Sequence, residues 1–391
     1  MLNQEIYDRV TAGFAAKFGG KPAFVAYAPG RIEVLGNHTD YNEGYVFSAA
    51  IDKGTFFAAS PSGDGKISLV SADLGETYEC DVASVAPVKE GATWANYVIG
   101  TFNWLFGGDV SAAGGGFKAV FGGNIPLGAG LSSSAALEMA TALALQKLYG
   151  TSFGKTELAK IGQKAEHTFA GCPCGLLDQA SSMYGQAGAL VKSDFRSNEF
   201  ESVKMGDGVA FMMVKSNAKH ALVDGAYASR RKACEDAAKH FAGVLRKPVT
   251  HLRDVTMAEW VLYHDGLDET TARRAVHPIG EDERVLQGAA LLEKGDLKGF
   301  GALMYDSHES SRRWFENSCE ELDAIVDAAK DIPEVDGARL SGGGFGGSCD
   351  LLVDPAAADS IAAKIAAAYK AKFGDEPVCS LIKPSEGARI V

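Results

Sequence analysis

The stretch Gly122-Gly-Asn-Ile-Pro-Leu-Gly-Ala-Gly-Leu-Ser-Ser-Ser-Ala-Ala-Leu-Glu138 decides how this chain is read. Glycines at 128 and 130 let the backbone come close to a ligand. Ser132, Ser133 and Ser134 follow, and an apolar run from Ala135 to Leu148 then stops at Gly150. A glycine turn feeding a helix N-terminus presents unpaired N–H groups and the positive end of the helix dipole, which suits a phosphate. The serine hydroxyls can also ligate a magnesium ion carried by that phosphate. Standing alone, the same residues would also serve as a surface turn capped by serine.

The bulk properties narrow the possibilities. At 391 residues the chain exceeds one ordinary domain, and its length places a boundary near residue 200. A hydrophobic content of 46% with 23% charged residues is that of a soluble protein with a large core. The net charge of −12 argues against nucleic acid or an anionic membrane as partner. A nucleotide can still bind, because a local site can oppose the global sign. The first residues, Met1 to Arg9, have no basic flank leading into an apolar run, so no signal peptide is expected. No run approaches the ~18 apolar residues of a membrane span. Seven scattered cysteines fit reduced thiols in a cytoplasm. Cys172 and Cys174 lack a second nearby pair and are expected to be buried structural thiols rather than zinc ligands. A cytoplasmic monomer is expected.

Periodicity sets the elements. Ile6, Val10, Phe14 and Phe18 predict a helix over residues 1–18. Residues 24–72 read as separate extended segments, including Val46–Ile51 and Thr55–Ala59, divided by Gly, Asn and Pro turns. Helices are expected near 94–106, at 135–149 and 155–170, and from about Gly175. Strand and turn alternate over 189–215, and three or four helices fill 225–331. Two strands flank Gly342–Gly347, followed by a helix at 356–373 and a strand at 377–382. Gly342, Gly344 and Gly347 satisfy G-x-G-x-x-G, but Ser348-Cys-Asp-Leu-Leu-Val after them is strand-like, which excludes a dinucleotide fold. Gly154-Lys-Thr has no preceding strand and no correctly spaced glycine, which excludes a P-loop.

Two polar clusters remain. Arg31, Asn37, His38 and Asp40 fall on a loop whose dense donors and acceptors can grip a hydroxyl-rich ligand. Glu166 lies near a helix end, and Asp178 falls in the first turn of the next helix, where the dipole favours its ionised form. From position alone, Asp178 is equally a helix cap or a carboxylate that takes a proton or holds a metal.

The stretches at 28–44, 122–138 and 339–348 resemble, in order, the three signature motifs of the GHMP small-molecule kinases. His38-Thr-Asp-Tyr-Asn in the first resembles the galactokinases in particular. Trp94-Ala-Asn-Tyr-Val, Glu166-His-Thr-Phe-Ala-Gly, Cys174-Gly-Leu-Leu-Asp-Gln, Ser216-Asn-Ala-Lys-His, Tyr227 with Arg230-Arg231, and Ser307-His-Glu-Ser-Ser extend the likeness over nearly the whole chain.

The resemblance implies an α+β fold of two domains, 1–200 and 201–391. The first would be like ribosomal protein S5 domain 2 and the second ferredoxin-like, with the active site in the cleft between them. It implies ATP and Mg2+ as cofactors and a sugar as substrate. Asp178 would be the catalytic aspartate and Arg31 would stabilise the transferring phosphoryl group. Asn37, His38, Asp40, Gly175 and Tyr227 would hold the sugar. Gly128, Ala129, Gly130, Leu131, Ser132, Ser133 and Ser134 would surround the ATP phosphates. Ser133, Ser134 and Glu166 would supply metal ligands, and Gly342–Gly347 would brace the site. Galactokinases usually carry glutamate at position 37, where it holds the sugar's 6-hydroxyl. Asn37 departs from this, and restoring glutamate there is expected to improve the use of galactose. A related kinase for an N-acetylhexosamine or L-arabinose, and a sugar-sensing regulator without activity, are the alternatives. The intact serine loop, Arg31, Glu166 and Asp178 argue against the regulator.

Overall fold

The structure is a computed structural model that describes residues 2–126, 128–206, 208–218 and 223–391. Leu127 of the glycine–serine stretch and Lys219 and His220 of the Ser216–His220 segment lie outside the described residues.

Helix α1 (Gln4–Phe18) precedes strands β1 (Phe24–Leu35), β2 (Tyr45–Pro61), β3 (Lys66–Ser71) and β4 (Glu76–Asp81). Next come α2 (Ala95–Leu105), β5 (Phe117–Gly123), α3 (Ser133–Tyr149), α4 (Lys155–Ala165) and α5 (Leu177–Tyr184). Strands β6 (Ala189–Asp194), β7 (Glu199–Lys204) and β8 (Ala210–Lys215) lead to helices α6 (Val223–Val244), α7 (Met257–Tyr263), α8 (Glu269–Glu293), α9 (Leu297–Ser310) and α10 (Glu320–Lys330). Strands β9 (Val335–Ser341) and β10 (Ser348–Val353), helix α11 (Ala358–Phe373), and strands β11 (Val378–Ile382) and β12 (Arg389–Ile390) close the chain.

The first sheet has the order β12-β1-β2-β5-β3-β4, and the N-terminal half of β2 also pairs with β6, which carries β7. The second sheet is β11-β8-β10-β9, antiparallel throughout. The break between the sheets falls between Lys204 and Ala210, and β12 returns to the first sheet.

Strand alternation explains why the first sheet carries helices on both faces. Val25, Tyr27, Phe56 and Ala58 point to one side and pack with Ile6, Val10 and Phe14 of α1. Ala26, Ala28, Phe57 and Ala59 point to the other, against apolar residues of α2, α3, α4 and α5. A separate core joins Ile32, Val34 and Phe47 of the first sheet to Phe211 and Leu352 of the second, and it includes Ala129, Leu131 and Ala136 beneath the glycine–serine stretch.

Three differences from the sequence expectation have local causes. β2 runs unbroken through Gly54, because a Cβ there would meet the Ala28 carbonyl at 2.5 Å, so this glycine permits close strand approach rather than a turn. Residues 225–331 hold five helices among the described residues, since Thr256, Asp268 and Asp296 each accept a backbone N–H and start a new one. The expected helix over 155–170 is α-helical only to Ala165 and continues as a π turn over Glu166–Ala170.

Candidate active site

Strand β1 delivers Arg31 beneath the N-terminus of α3. Gly30 makes this possible, since a Cβ there would stand 2.4 Å from the Leu131 carbonyl, and the Arg31 backbone N–H donates to that same carbonyl at 3.1 Å. The buried Arg31 side chain donates from Nε to Asp178 Oδ1 at 2.8 Å and from Nη1 to the Gly130 carbonyl at 2.6 Å. Gly128 and Gly130 sit at φ of 66° and 72°, which gives the turn its path into α3. Ser132 also has a positive φ of 57°, and its hydroxyl donates to Asp178 Oδ2 instead of capping the helix. The surface-turn alternative therefore fails: the serine is spent on a carboxylate 46 residues away.

The three serines diverge. Ser132 faces Asp178, whereas Ser133 and Ser134 line a separate cavity of about 490 Å3 with Trp94, Tyr97, Asn124 and Leu137. Ser134 Oγ donates to Glu166 Oε1 at 3.3 Å, and Glu166 Oε2 accepts from Gln179 Nε2 at 2.9 Å and Cys174 Sγ at 3.2 Å. The π turn starts at Glu166, a local irregularity often found at functional positions. Burial, and next the charge of Asp178, raise the Glu166 carboxyl above its ordinary value. Gln179 Nε2 also donates to Glu138 Oε2 at 2.8 Å, and burial followed by Glu166 pushes Glu138 well above the usual carboxylate range.

Among the described residues no group of three or more His, Cys, Asp and Glu side chains could hold a metal. Ser133, Ser134 and Glu166 offer a sparse set of hard oxygens, which suits a magnesium ion that keeps phosphate and water ligands of its own.

A second cavity of about 570 Å3 is lined by Arg31, Glu33, Asn37, His38, Asp40, Gly175, Asp178, Tyr227, Gly342 and Gly343. All of the residues expected to hold the sugar are thus at one place, although Tyr227 comes from α6 and Gly342 from the β9–β10 connection. Their chemistry differs. His38 has both ring nitrogens engaged, Nδ1 with Tyr41 Oη at 2.8 Å and Nε2 with the Gly343 carbonyl at 3.2 Å. Burial lowers its pKa to about 4, so it is neutral, with Nε2–H donating and Nδ1 accepting. Asn37 Nδ2 donates to Glu33 Oε1 and to the Gly342 carbonyl, each at 2.7 Å. Asp40 is close against Gly175, where a Cβ would stand 2.0 Å from its Oδ2. Burial, then the charge of Glu33, raises Asp40 to about 6.

The β9–β10 loop ties the two cavities together. Ser348 Oγ donates to the Ala129 carbonyl at 3.0 Å, while Gly342 and Gly343 hold Asn37 and His38.

Sequence reasoning missed several residues. Trp94 and Tyr97 stand one helical turn apart on the wall of the smaller cavity, and only the Trp94–Val98 segment pointed to them. Lys215 Nζ lies 4.0 Å from where a Cβ of Gly128 would be, which brings a cation to the glycine turn without any motif to announce it. Glu281, fully buried, accepts from the Gly36 and Asn37 backbone N–H groups at 2.8 Å each and so fixes the loop before His38.

Comparison with known proteins identifies the family and the fold. The GHMP kinases N terminal domain matches residues 96–186, the galactokinase galactose-binding signature matches 12–61, and the GHMP kinases C terminal matches 289–371. The crystal structure of Lactococcus lactis galactokinase complexed with galactose is 31% identical, with a TM-score of 0.88 over 97% of this chain and 98% of that one. The Methanococcus jannaschii mevalonate kinase (18% identity, TM-score 0.62, 94% and 99% coverage) and the L. major mevalonate kinase in complex with R-mevalonate (19%, 0.61, 93% and 98%) share the fold. With a galactose-binding signature on the loop that lines the larger cavity and a 31%-identical galactokinase matching end to end, the chain belongs to the galactokinase family of GHMP kinases.

Proposed function

We propose that this chain is a sugar 1-kinase that moves the γ-phosphoryl group of ATP onto the anomeric hydroxyl of D-galactose, yielding galactose 1-phosphate and ADP. The observation that carries this reading is the N-terminus of α3. There Ser132 bonds to Asp178, which lines the larger cavity, while the next two residues, Ser133 and Ser134, line the smaller one, so acceptor and donor meet across one helix end.

On this reading the smaller cavity takes the nucleotide. Trp94 and Tyr97 offer aromatic faces to the base, and the backbone N–H groups from Gly128 to Ser134 hold the phosphates at the positive end of α3. Glu166 with Ser133 and Ser134 would hold magnesium, which when bound neutralises charge on the phosphates. Arg31 stabilises charge on the attacking oxygen and on the transferring group. Asp178 accepts the anomeric proton as the sugar oxygen bonds to phosphorus and the bond to the β-phosphate oxygen breaks. Asp40 and Tyr227 accept from or donate to sugar hydroxyls, and His38 braces the β9–β10 loop behind them. Phosphoryl transfer depends mainly on positioning and charge neutralisation, so this set suffices. The chain divides near residue 200 into two halves, each bringing one glycine loop to a monomeric, cytoplasmic enzyme.

A coupled ADP-release assay with galactose, N-acetylgalactosamine and L-arabinose tests the reading. Galactose is expected to give the highest kcat/KM, and a preference for either other sugar overturns it.

A further inference from the structure

Asn37 stands where galactokinases usually have glutamate, yet its amide is occupied by the protein. Its two N–H groups go to Glu33 Oε1 and to the Gly342 carbonyl, and its Oδ1 accepts from Asn317 Nδ2 at 3.0 Å. No donor is left for a ligand. The carboxylate at this wall belongs instead to Glu33, four residues earlier. Glu33 Oε1 takes Asn37 and the buried Arg339 guanidinium, the latter at 3.3 and 3.4 Å. Glu33 Oε2 accepts no hydrogen bond from the described residues, and the residue lines the larger cavity. An open carboxylate oxygen on a cavity wall is matched by a hydroxyl donor.

Its position says which hydroxyl. Arg31 and Glu33 pair with Ala50 and Ser48 of β2 in unbroken register, so both side chains leave the same face of β1, about 6.6 Å apart. Arg31 sits with Asp178 at the reacting end. Glu33 therefore meets the far edge of a hexose whose anomeric oxygen lies at Asp178.

We propose that Glu33 is a specificity-determining residue whose Oε2 accepts a hydrogen bond from the hydroxyl on carbon 4 or carbon 6 of the sugar. In this chain the sugar-binding carboxylate has moved from position 37 to position 33, and Asn37 orients it. This rests on the galactokinase reading.

The test compares wild type with Glu33→Gln on galactose and its 2-deoxy, 4-deoxy and 6-deoxy analogues. Gln keeps the acceptor for Asn37 and Arg339. It is expected to raise the KM for galactose about tenfold, with kcat within about twofold, because a charge-assisted bond becomes a neutral one. The penalty should persist with 2-deoxygalactose and vanish with either the 4-deoxy or the 6-deoxy sugar. No penalty on galactose, or an equal penalty on all four sugars, overturns the proposal and leaves Glu33 as a structural partner of Arg339. Should Glu33→Gln melt far below wild type, Glu33→Asp, which keeps the charge but withdraws it, is judged by the same criteria. Wild type that does not phosphorylate galactose overturns the parent reading as well, a result visible before any variant is made.

Discussion

Ser132 gives its hydroxyl to Asp178 while its own backbone is held in the left-handed region at the N-terminus of α3. A non-glycine residue there costs about 1–2 kcal/mol, which the bond to a carboxylate offsets. Because the hydroxyl does not cap the helix, the first N–H groups of α3 stay available to a phosphate. One contact thus holds the Asp178 carboxylate and leaves the helix end uncapped.

Ser132→Ala should lower kcat about tenfold and reduce stability, since the strain stays and the compensating bond is gone. Ser132→Gly relieves the strain but not the lost contact, so its melting temperature should exceed that of the alanine variant while its turnover stays low. Equal turnover in wild type and Ser132→Ala would remove Ser132 from the proton-transfer assembly.

Asp178→Asn keeps the shape and removes the charge. Turnover should fall at least ~100-fold, the lower end for an acid–base group. Stability should fall by about 1–3 kcal/mol, because Arg31 is buried and loses its ionised partner while retaining the Gly130 carbonyl. Near-normal turnover would make Asp178 a structural residue.

Glu166→Gln should raise the magnesium concentration needed for half-maximal rate several-fold before it lowers the rate at saturating metal, because one of the few hard oxygens proposed to hold the metal is weakened. A magnesium titration identical to wild type would exclude Glu166 from the metal site.

Asn37→Glu looks restorative in the sequence, but the geometry reverses the expectation. The new carboxylate would face Glu33 and the Gly342 carbonyl, two acceptors that now share the Asn37 amide. Like charges and a lost donor in a buried position should lower the melting temperature and raise the KM for galactose. An improved KM would show that the loop rearranges to place the glutamate elsewhere.

Binding should weaken on the acid side. Asp40 titrates near 6, and as pH falls through that value it takes a proton and loses its role as an ionised acceptor. The KM for galactose is therefore expected to rise several-fold between pH 7 and pH 5. Since the folded-state pKa lies above the ordinary carboxylate value, ionisation of Asp40 costs stability, so protonation at this residue does not unfold the protein. Asp40→Asn should show a high KM with this acid limb flattened, and an unchanged limb would assign it to another group.

By itself the sequence determined what local pattern can determine. The glycine turn into α3, the helices around Glu166 and Asp178, and the strands flanking Gly342–Gly347 were legible because each depends on residues within a few positions of one another. The kinship of the three motifs told which of these would meet. Tertiary structure decided the rest. That Ser132 serves Asp178 while Ser134 serves Glu166, that Asn37 and His38 are committed to a loop some 305 residues away, and that Trp94 and Tyr97 wall the second cavity all depend on contacts between distant segments. Glu33 shows the reason most plainly. In the sequence it is one acid in a buried strand, and only the amide of Asn37, the guanidinium of Arg339 and the cavity beside them show that it stands on the wall of the larger cavity with one oxygen held by the protein.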